Sequence, residues 1–580
     1  MRLSLVVIAL FLLSFYSFGK VKYVNSPSLG TVVDASVSDC SDGGQLLVPL
    51  ISWGGDEATI LANGGVITKK DSIFGKKKLS LKLAREDVFA NQVKNYMSCK
   101  SPFLRGTLGM LNMASEVTEK DPRTKMVVVY QLTWSQGGDA LVVKKGIKKP
   151  KDLKGKTVAL QAYGPHVDYL AKVLSNSGLK MSDIKIKWVK DLTGTEHTPM
   201  EAFYEKGIDA ALVIIPDALT LTNGGGAEGS VKGARVLMST KTAGKVISDV
   251  YAVRSDFYNK NKDTVFKFVD GLITGQEQLK TMYANEKSDS AKFVANAKLF
   301  GKILMDSENA IEDVKGMYLD AKFVGYHGNI RFFTNKNEPR NFTKLNKEIQ
   351  KSFTKLGLIS SNKRIAKATW DYNNFRKGLA SLPVPKNQKF NVAKVAQVIS
   401  SMKENDTLDK ASLYTKEIRF APKQKNFKLG AYKHYFNELV DLVSTNSGAI
   451  LTVEGHSDPT GYLKKVKQNT DYKVLRRFKR SATNLSIERA NSVKQSFLKY
   501  AKSKGIDIDS SQITIIGYGI SKPAYARHCS FNTVSNTFEE SANKSDYPCP
   551  PKSAPEWKSN RRVEFRIIPV ETESDVFIAL

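Results

Sequence analysis

Short apolar runs alternate with longer amphipathic stretches from about Gly44 to Leu382. Met126–Tyr130, Ala140–Lys144, Thr157–Gln161 and Ala210–Ile215 have the length and β-rich content of buried strands. Between them, Val167–Ser177 and Thr198–Lys206 read as helices. Strand–helix alternation of this kind predicts an α/β fold with parallel sheets. From Leu382-Pro383-Val384-Pro385 to about Asn405 the text is linker-like, with one polar helix candidate. A second alternation begins at Lys416. It offers a strand at Ile418–Phe420, a helix around Tyr432–Val443 and a strand at Ala449–Val453. Next comes a helix with Ser486 as N-cap, Ala490, Val493, Phe497 and Ala501 on one face, and Gly505 as its stop. A strand at Ile513–Ile516 follows. No repeat of roughly 20–50 residues is visible, which excludes a solenoid.

Length and charge sharpen this picture. The chain has 580 residues, enough for three or four folding units of about 150 residues. Its formal charge of +31 calls for an anionic partner or surface. The start, Met1-Arg2 before the apolar run Leu3–Phe18 and small residues Ser17 and Gly19, reads as a secretory signal over 1–19. The other reading is a retained anchor, but the run is shorter than the roughly 20 residues that comfortably span a bilayer. Export weakens a nucleic-acid reading of the charge. It also favours disulfides, and position pairs Cys40 with Cys99 and Cys529 with Cys549. The cysteines lack the tight spacing of a metal site, and the six histidines form no ligand cluster in the sequence.

The C-terminal stretch carries four ordered motifs. They are Gly455-His456-Ser457-Asp458 with Gly461, Leu485-Ser486 with Arg489-Ala490 and Val493, Gly517-Tyr518-Gly519, and Asn560-Arg561-Arg562-Val563. Together they resemble the OmpA-like peptidoglycan-binding domain, an α+β fold, over about 412–570. The resemblance implies that Asp458 and Arg489 grip the diaminopimelate of the peptidoglycan stem peptide, with Thr460, Arg561 and Arg562 around them. The chemistry is coherent, because the free end of that side chain carries an ammonium and a carboxylate, which a fixed carboxylate and a guanidinium match. The Ser486 N-cap would put Arg489 in the first helical turn, where free N–H groups also favour an anion. The sequence departs from the family at Ala482 and Ala421, so contacts usual at those positions are not implied. Two insertions stand out. Tyr462–Arg480 holds eight basic residues against Asp471 alone, and Arg527–Pro551 would be stapled by Cys529–Cys549. The first suits a glycan or phosphate polymer, or is simply a solvated excursion.

The N-terminal stretch also has carrying motifs: Asp152-Leu153-Lys154-Gly155-Lys156-Thr157-Val158-Ala159, the Leu179 to Asp183 step, and Gly207-Ile208-Asp209-Ala210. Over about 44–380 it resembles type II periplasmic solute-binding proteins of ABC importers, the sulfonate, nitrate and thiamine-precursor group. The implied architecture is a two-lobed α/β clamshell, with one lobe from 44–140 plus 245–380 and the other from 141–244. Ligand residues in such folds sit at strand C-termini and helix starts. Candidates are Trp53 and Asp56, Ser135 and Asp139, Tyr163 and His166, and Asp217; the aromatics would supply flat walls and the carboxylates would take an amine. Asn223 and the three glycines after it read as a hairpin loop.

Nucleophile-elbow, zinc-protease and P-loop motifs are absent from the sequence, so no enzyme, cofactor or metal is expected. The expected location is the periplasm of a Gram-negative-type bacterium, peptidoglycan-associated. Two functions stand open. One is a wall-tethered receptor that captures a small ligand for an inner-membrane importer or sensor. The other is a structural or assembly scaffold whose clamshell no longer binds a transported solute.

Overall fold

The computed structural model describes residues 21–26, 28–40, 44–222, 229–376, 390–405, 407–421, 424, 432–525, 527–543 and 547–569. The signal segment 1–19, the Asn223 loop, the Leu382–Pro385 turn and the tail 571–580 lie outside these residues.

From residue 44 on, the chain crosses between two lobes twice. Lobe I holds a sheet in the order Ala321–Phe323, Met126–Ser135, Ser248–Arg254, Phe103–Thr107, with Ala366–Lys367 added beside Met126–Ser135 and a parallel pair, Leu46–Leu50 and Leu81–Arg85, nearby. Lobe II holds Lys185–Val189, Thr157–Gln161, Ala210–Ile214, Asp139–Val143 and Arg235–Ser239 in that order. The four predicted strands between 126 and 215 fall within two residues of their observed starts, and the predicted helices at 167–177 and 198–206 are His166–Asn176 and Pro199–Tyr204. In lobe II, Ala140 and Val142 face one core and Leu141 and Val143 the other. Burial on both faces explains the unbroken apolar run. The expectation of parallel sheets needs correction in both lobes: lobe II is parallel only where Thr157–Gln161 pairs with its two neighbours and antiparallel at Asp139–Val143 and Arg235–Ser239, and the four main strands of lobe I are antiparallel. The cause is the double crossing: Met126–Ser135 leads into lobe II, and the chain returns as Ser248–Arg254 alongside it.

Residues 21–40, unassigned from sequence, form a strap. Tyr23–Val24 pairs antiparallel with Trp188 and Val189 at the edge of lobe II, and Val21 is buried in that lobe's core. Tyr23 Oη donates to Glu205 at 2.6 Å. The strap then passes to lobe I, where Leu29 is fully buried and Cys40 is disulfide-bonded to Cys99.

The C-terminal unit has a sheet in the order Tyr414–Arg419, Arg562–Pro569, Ala449–His456, Ile513–Gly519. Helices Lys433–Thr445 and Tyr472–Ser503 cover one face through Phe436, Leu439, Ala490, Val493 and Phe497. The region read as linker is different in its described part: Val392–Glu404 and Leu408–Ala411 are helical, and Phe390, Val395, Ile399 and Leu408 cover Ile450, Ile516 and Ile568 on the other face. The isoleucines make that part of the second face apolar, and it needs a covering layer. The Ser486 N-cap also fails. The helix begins after Asp471, whose carboxylate caps Lys473, because Tyr472–Arg480 contains neither Gly nor Pro and extends the helix upstream. The insertion Arg527–Pro551 contributes a small sheet, Thr537–Ser541, His528–Asn532, Tyr547–Pro548, stapled by Cys529–Cys549. Among the described residues, no helix is long and apolar enough to cross a membrane.

Candidate functional site

Asp458 follows the last residue of strand Ala449–His456, which brings its carboxylate to the sheet end. Oδ1 accepts from the Thr460 N–H at 2.9 Å, the Asx turn that starts the next helix. Oδ2 is buried and has no hydrogen-bond partner among the described residues. Arg489, 1% exposed, reaches the same end from the middle of helix Tyr472–Ser503. Its Nε donates to the Gln424 carbonyl at 2.9 Å and its Nη1 to the His456 carbonyl at 3.2 Å, with the Phe420 ring 5.3 Å away. Burial, then repulsion from Arg561, lowers its pKa to about 10, against the pull of Asp458. Arg561 donates to the Phe420 carbonyl at 3.2 Å and lies 3.8 Å from the Trp557 ring centre. Burial lowers its pKa too, again against Asp458. Two guanidiniums and one carboxylate therefore converge, held mainly by backbone carbonyls. Such a group presents both signs of charge to a zwitterion.

Arg489 lies well inside the helix, so the expected help from free N–H groups at a helix start is absent. Ser486 has another task. Its Oγ accepts from Gly519 N–H at 3.0 Å, and a Cβ on Gly455 would lie 1.9 Å from its carbonyl oxygen. Helix and strands thus meet backbone to backbone, which fixes where Arg489 emerges. Arg562 turns to the opposite face of the sheet. There it ion-pairs with Glu564, which also meets Arg566; Arg566 Nε donates to Glu454 at 3.1 Å. The buried trio Glu454, His456 and Glu564 has metal-like spacing, but these arginines already compensate its carboxylates. They hold Glu564 down at about 2 despite burial.

The clamshell candidates divide into groups. Asp56 is fully buried and takes the Arg105 guanidinium, which also meets Asp249 at 2.9 Å; it is a core ion pair of lobe I and offers no carboxylate to an amine. Trp53 Nε1 donates to Thr133 Oγ1 at 3.0 Å, and its ring lies so close to Gly138 that a Cβ there would sit 2.5 Å away. Ser135 and Asp139 tie the two interlobe crossings together. Ser135 Oγ donates to Asp139 Oδ2 at 2.5 Å, Thr240 Oγ1 lies 2.9 Å from Ser135 Oγ, and Asp139 N–H donates to Thr240 Oγ1 at 3.1 Å. His166 Nε2 is 2.8 Å from Asp139 Oδ1. Asp217 is pushed up to about 6 by burial, against the pull of His166.

Two groups escaped the sequence reading. Asp168, on helix His166–Asn176 of lobe II, meets the first turn of helix Leu108–Thr118 of lobe I: a Cβ on Gly109 would fall 2.8 Å from its carboxyl carbon. Burial pushes this carboxyl up to about 8. Asp320, pushed up to about 6 by burial and by Asp139, closes on Gly137. Neither has a local sequence signal, because the glycine each one meets is distant along the chain. Tyr163, left-handed at φ 59°, lines a cavity of about 230 Å³ between the lobes. Val24, Asn25 and Val32 of the strap form part of its wall.

Residues 106–281 match the family model described as NMT1/THI5 like. A stretch of 177 residues is 28% identical to the taurine-binding periplasmic protein of Escherichia coli, covering 30% of this chain and 49% of that protein. The chain thus spans about half the length of this curated relative. Among solved structures, the periplasmic aliphatic sulphonate binding protein of Escherichia coli aligns at TM-score 0.39 and 15% identity, over 60% of this chain and 98% of its own. A putative periplasmic sulfonate-binding protein of Methylobacillus flagellatus KT aligns at TM-score 0.39 and 16% identity, over 59% and 98%.

Proposed function

We propose that this is a periplasmic, peptidoglycan-bound protein whose OmpA-like C-terminal unit grips the diaminopimelate stem peptide. The observation that carries this reading is the buried Oδ2 of Asp458, without a hydrogen-bond partner among the described residues, beside Arg489 and Arg561. A ligand ammonium on Asp458 and a ligand carboxylate between the two arginines would give each charged group an opposite neighbour, with one positive charge in excess. The test is sedimentation of the full chain with diaminopimelate-type sacculi, with free stem tripeptide as competitor. Release by tripeptide supports the reading; release by salt alone contradicts it.

The clamshell, on this account, is a solute-binding-protein-like unit that captures a small ligand for an importer or sensor. The NMT1/THI5-like match and the taurine-binding relative support that class. Asp217 and Asp320 are half-buried carboxyls raised by burial without full compensation, which favours an amine-bearing solute such as an aminosulfonate over a plain sulfonate. A thermal shift with taurine and none with ethanesulfonate would support this; the reverse order would contradict it. The scaffold reading draws on a separate observation. The strap joins both lobes, and the C-terminal unit does so as well through Asp441, which meets Lys172 and Arg340.

A further inference from the structure

The two insertions pack on each other. Tyr462, at the start of the basic one, faces Tyr547 of the disulfide-stapled one at 6.2 Å between ring centres, and Tyr547 faces Phe538 at 5.9 Å. Between them and the helix Ala554–Ser559 lies a groove of about 710 Å³. Its floor is aromatic, from Phe538 and Trp557, and its rim carries Lys464, Lys467 and Lys552. Trp557 is 36% exposed, and Lys464, Lys467 and Lys552 are exposed.

This groove adjoins the charged site. Thr460 lines it and donates to Asp458. Trp557 carries Arg561 against its ring and accepts from Arg561 Nη1 through its carbonyl at 3.0 Å. A ligand anchored at Asp458 and Arg489 therefore has its next covalent portion at the groove mouth.

We infer that the groove is a second subsite for peptidoglycan, taking the amino-sugar strand to which the gripped stem peptide is joined. This rests on the proposed stem-peptide site. A pyranose has an apolar C–H face and N-acetyl methyls, which stack on exposed aromatic rings. The stem peptide near the sugar carries a free carboxylate on its glutamate, which Lys464 and Lys467 complement, while Lys552 is already paired with Glu540 at 2.7 Å. One occupant thus meets the aromatic floor, the cationic rim and the continuity with Asp458. The basic insertion acts as a structured wall of a binding groove instead of a loose electrostatic patch.

The test uses the full, oxidised chain and two soluble probes, the disaccharide tripeptide of diaminopimelate-type peptidoglycan and the tripeptide alone, measured by calorimetry. The expected wild-type result is at least about tenfold tighter binding of the disaccharide form, or about 1.4 kcal/mol. Phe538→Ala and Trp557→Ala should each cut that ratio to about threefold or less. Phe538→Ala leaves Arg561 untouched, so it should keep tripeptide affinity within about twofold. Equal wild-type affinities for both probes, or a ratio unchanged by both variants, overturns the subsite while leaving the stem-peptide reading intact. Failure of wild type to bind either probe overturns both. Competition by polyphosphate without any sugar-dependent gain would assign the groove to a phosphate polymer and also overturn the proposal.

Discussion

The ammonium of Lys172 lies 2.6 Å from the carboxylate of Asp441. Lys172 belongs to lobe II and Asp441 to the C-terminal unit. Lys172 also meets Glu348 of lobe I at 3.0 Å, and Glu348 pairs with Arg340 at 2.7 Å. Beside them Gly448 N–H donates to the Thr242 carbonyl at 3.1 Å. The C-terminal unit is thereby seated on the interlobe crossing.

Gly448→Ala tests that seating. A Cβ there would lie 1.9 Å from the Lys241 carbonyl oxygen, a backbone atom of the clamshell. Each unit should stay folded while the contact opens. The expected outcome is a single thermal transition split into two, with faster proteolysis between the units. Lys172→Met should act the same way more weakly, by about 1 kcal/mol, since Asp441 is 40% exposed and partly screened.

The strap should be a large contributor to clamshell stability. Cys40–Cys99 closes a loop with a sequence separation of 59. Replacing both cysteines by serine should cost about 4 kcal/mol by loop-closure entropy, read from denaturant midpoints.

Asp168 gives the clamshell a stability that falls with pH. Its folded carboxyl titrates at about 8, above the unfolded value near 3.9, so the folded state holds the extra proton between those values. Stability from this group is full at low pH and is lost as pH rises through 4 to 8. Asp168→Asn mimics the protonated form. It should stabilise the protein by a few kcal/mol at pH 8 and flatten the decline, measured by denaturant unfolding from pH 5 to 8.5. Destabilisation at pH 8 would contradict the assignment.

His456 acts in the acid range with the opposite slope. Burial, then repulsion from Arg562, lowers its pKa to about 3. The unfolded ring binds its proton near 6.5, so stability drops as pH falls from 6.5 towards 3. His456→Gln should shallow that acid slope in the C-terminal unit.

The strands and helices of lobe II were legible because buried runs such as Ala140–Val143 are apolar on both faces. That Asp458 and Arg489 come to the same end of the sheet was legible from the motifs that surround them. What escaped depends on partners distant in sequence. Val392–Glu404 is a weak helix by pattern and becomes a covering layer only against Ile450, Ile516 and Ile568. Asp56 looked like a free carboxylate because Arg105, 49 residues on, gives no local sign of its burial. Arg562 follows Arg561 directly, yet alternation along the strand sends it to the other face. The start of the long helix was misplaced because Ser486 is a good cap residue, and only its bond to Gly519 shows why serine stands mid-helix.

The central claim is that peptidoglycan is held by specific charge pairing. The direct measurement is co-sedimentation of the wild-type chain, Asp458→Ala and Arg489→Ala with diaminopimelate-type sacculi at low and high salt. Each substitution leaves one ligand charge unpaired, a loss of roughly 2–5 kcal/mol and at least tens-fold in affinity. The account predicts that both variants stay in the supernatant while most wild-type protein pellets even at high salt. Variants that pellet like wild type, with everything released by salt, would show that the +31 charge alone does the binding.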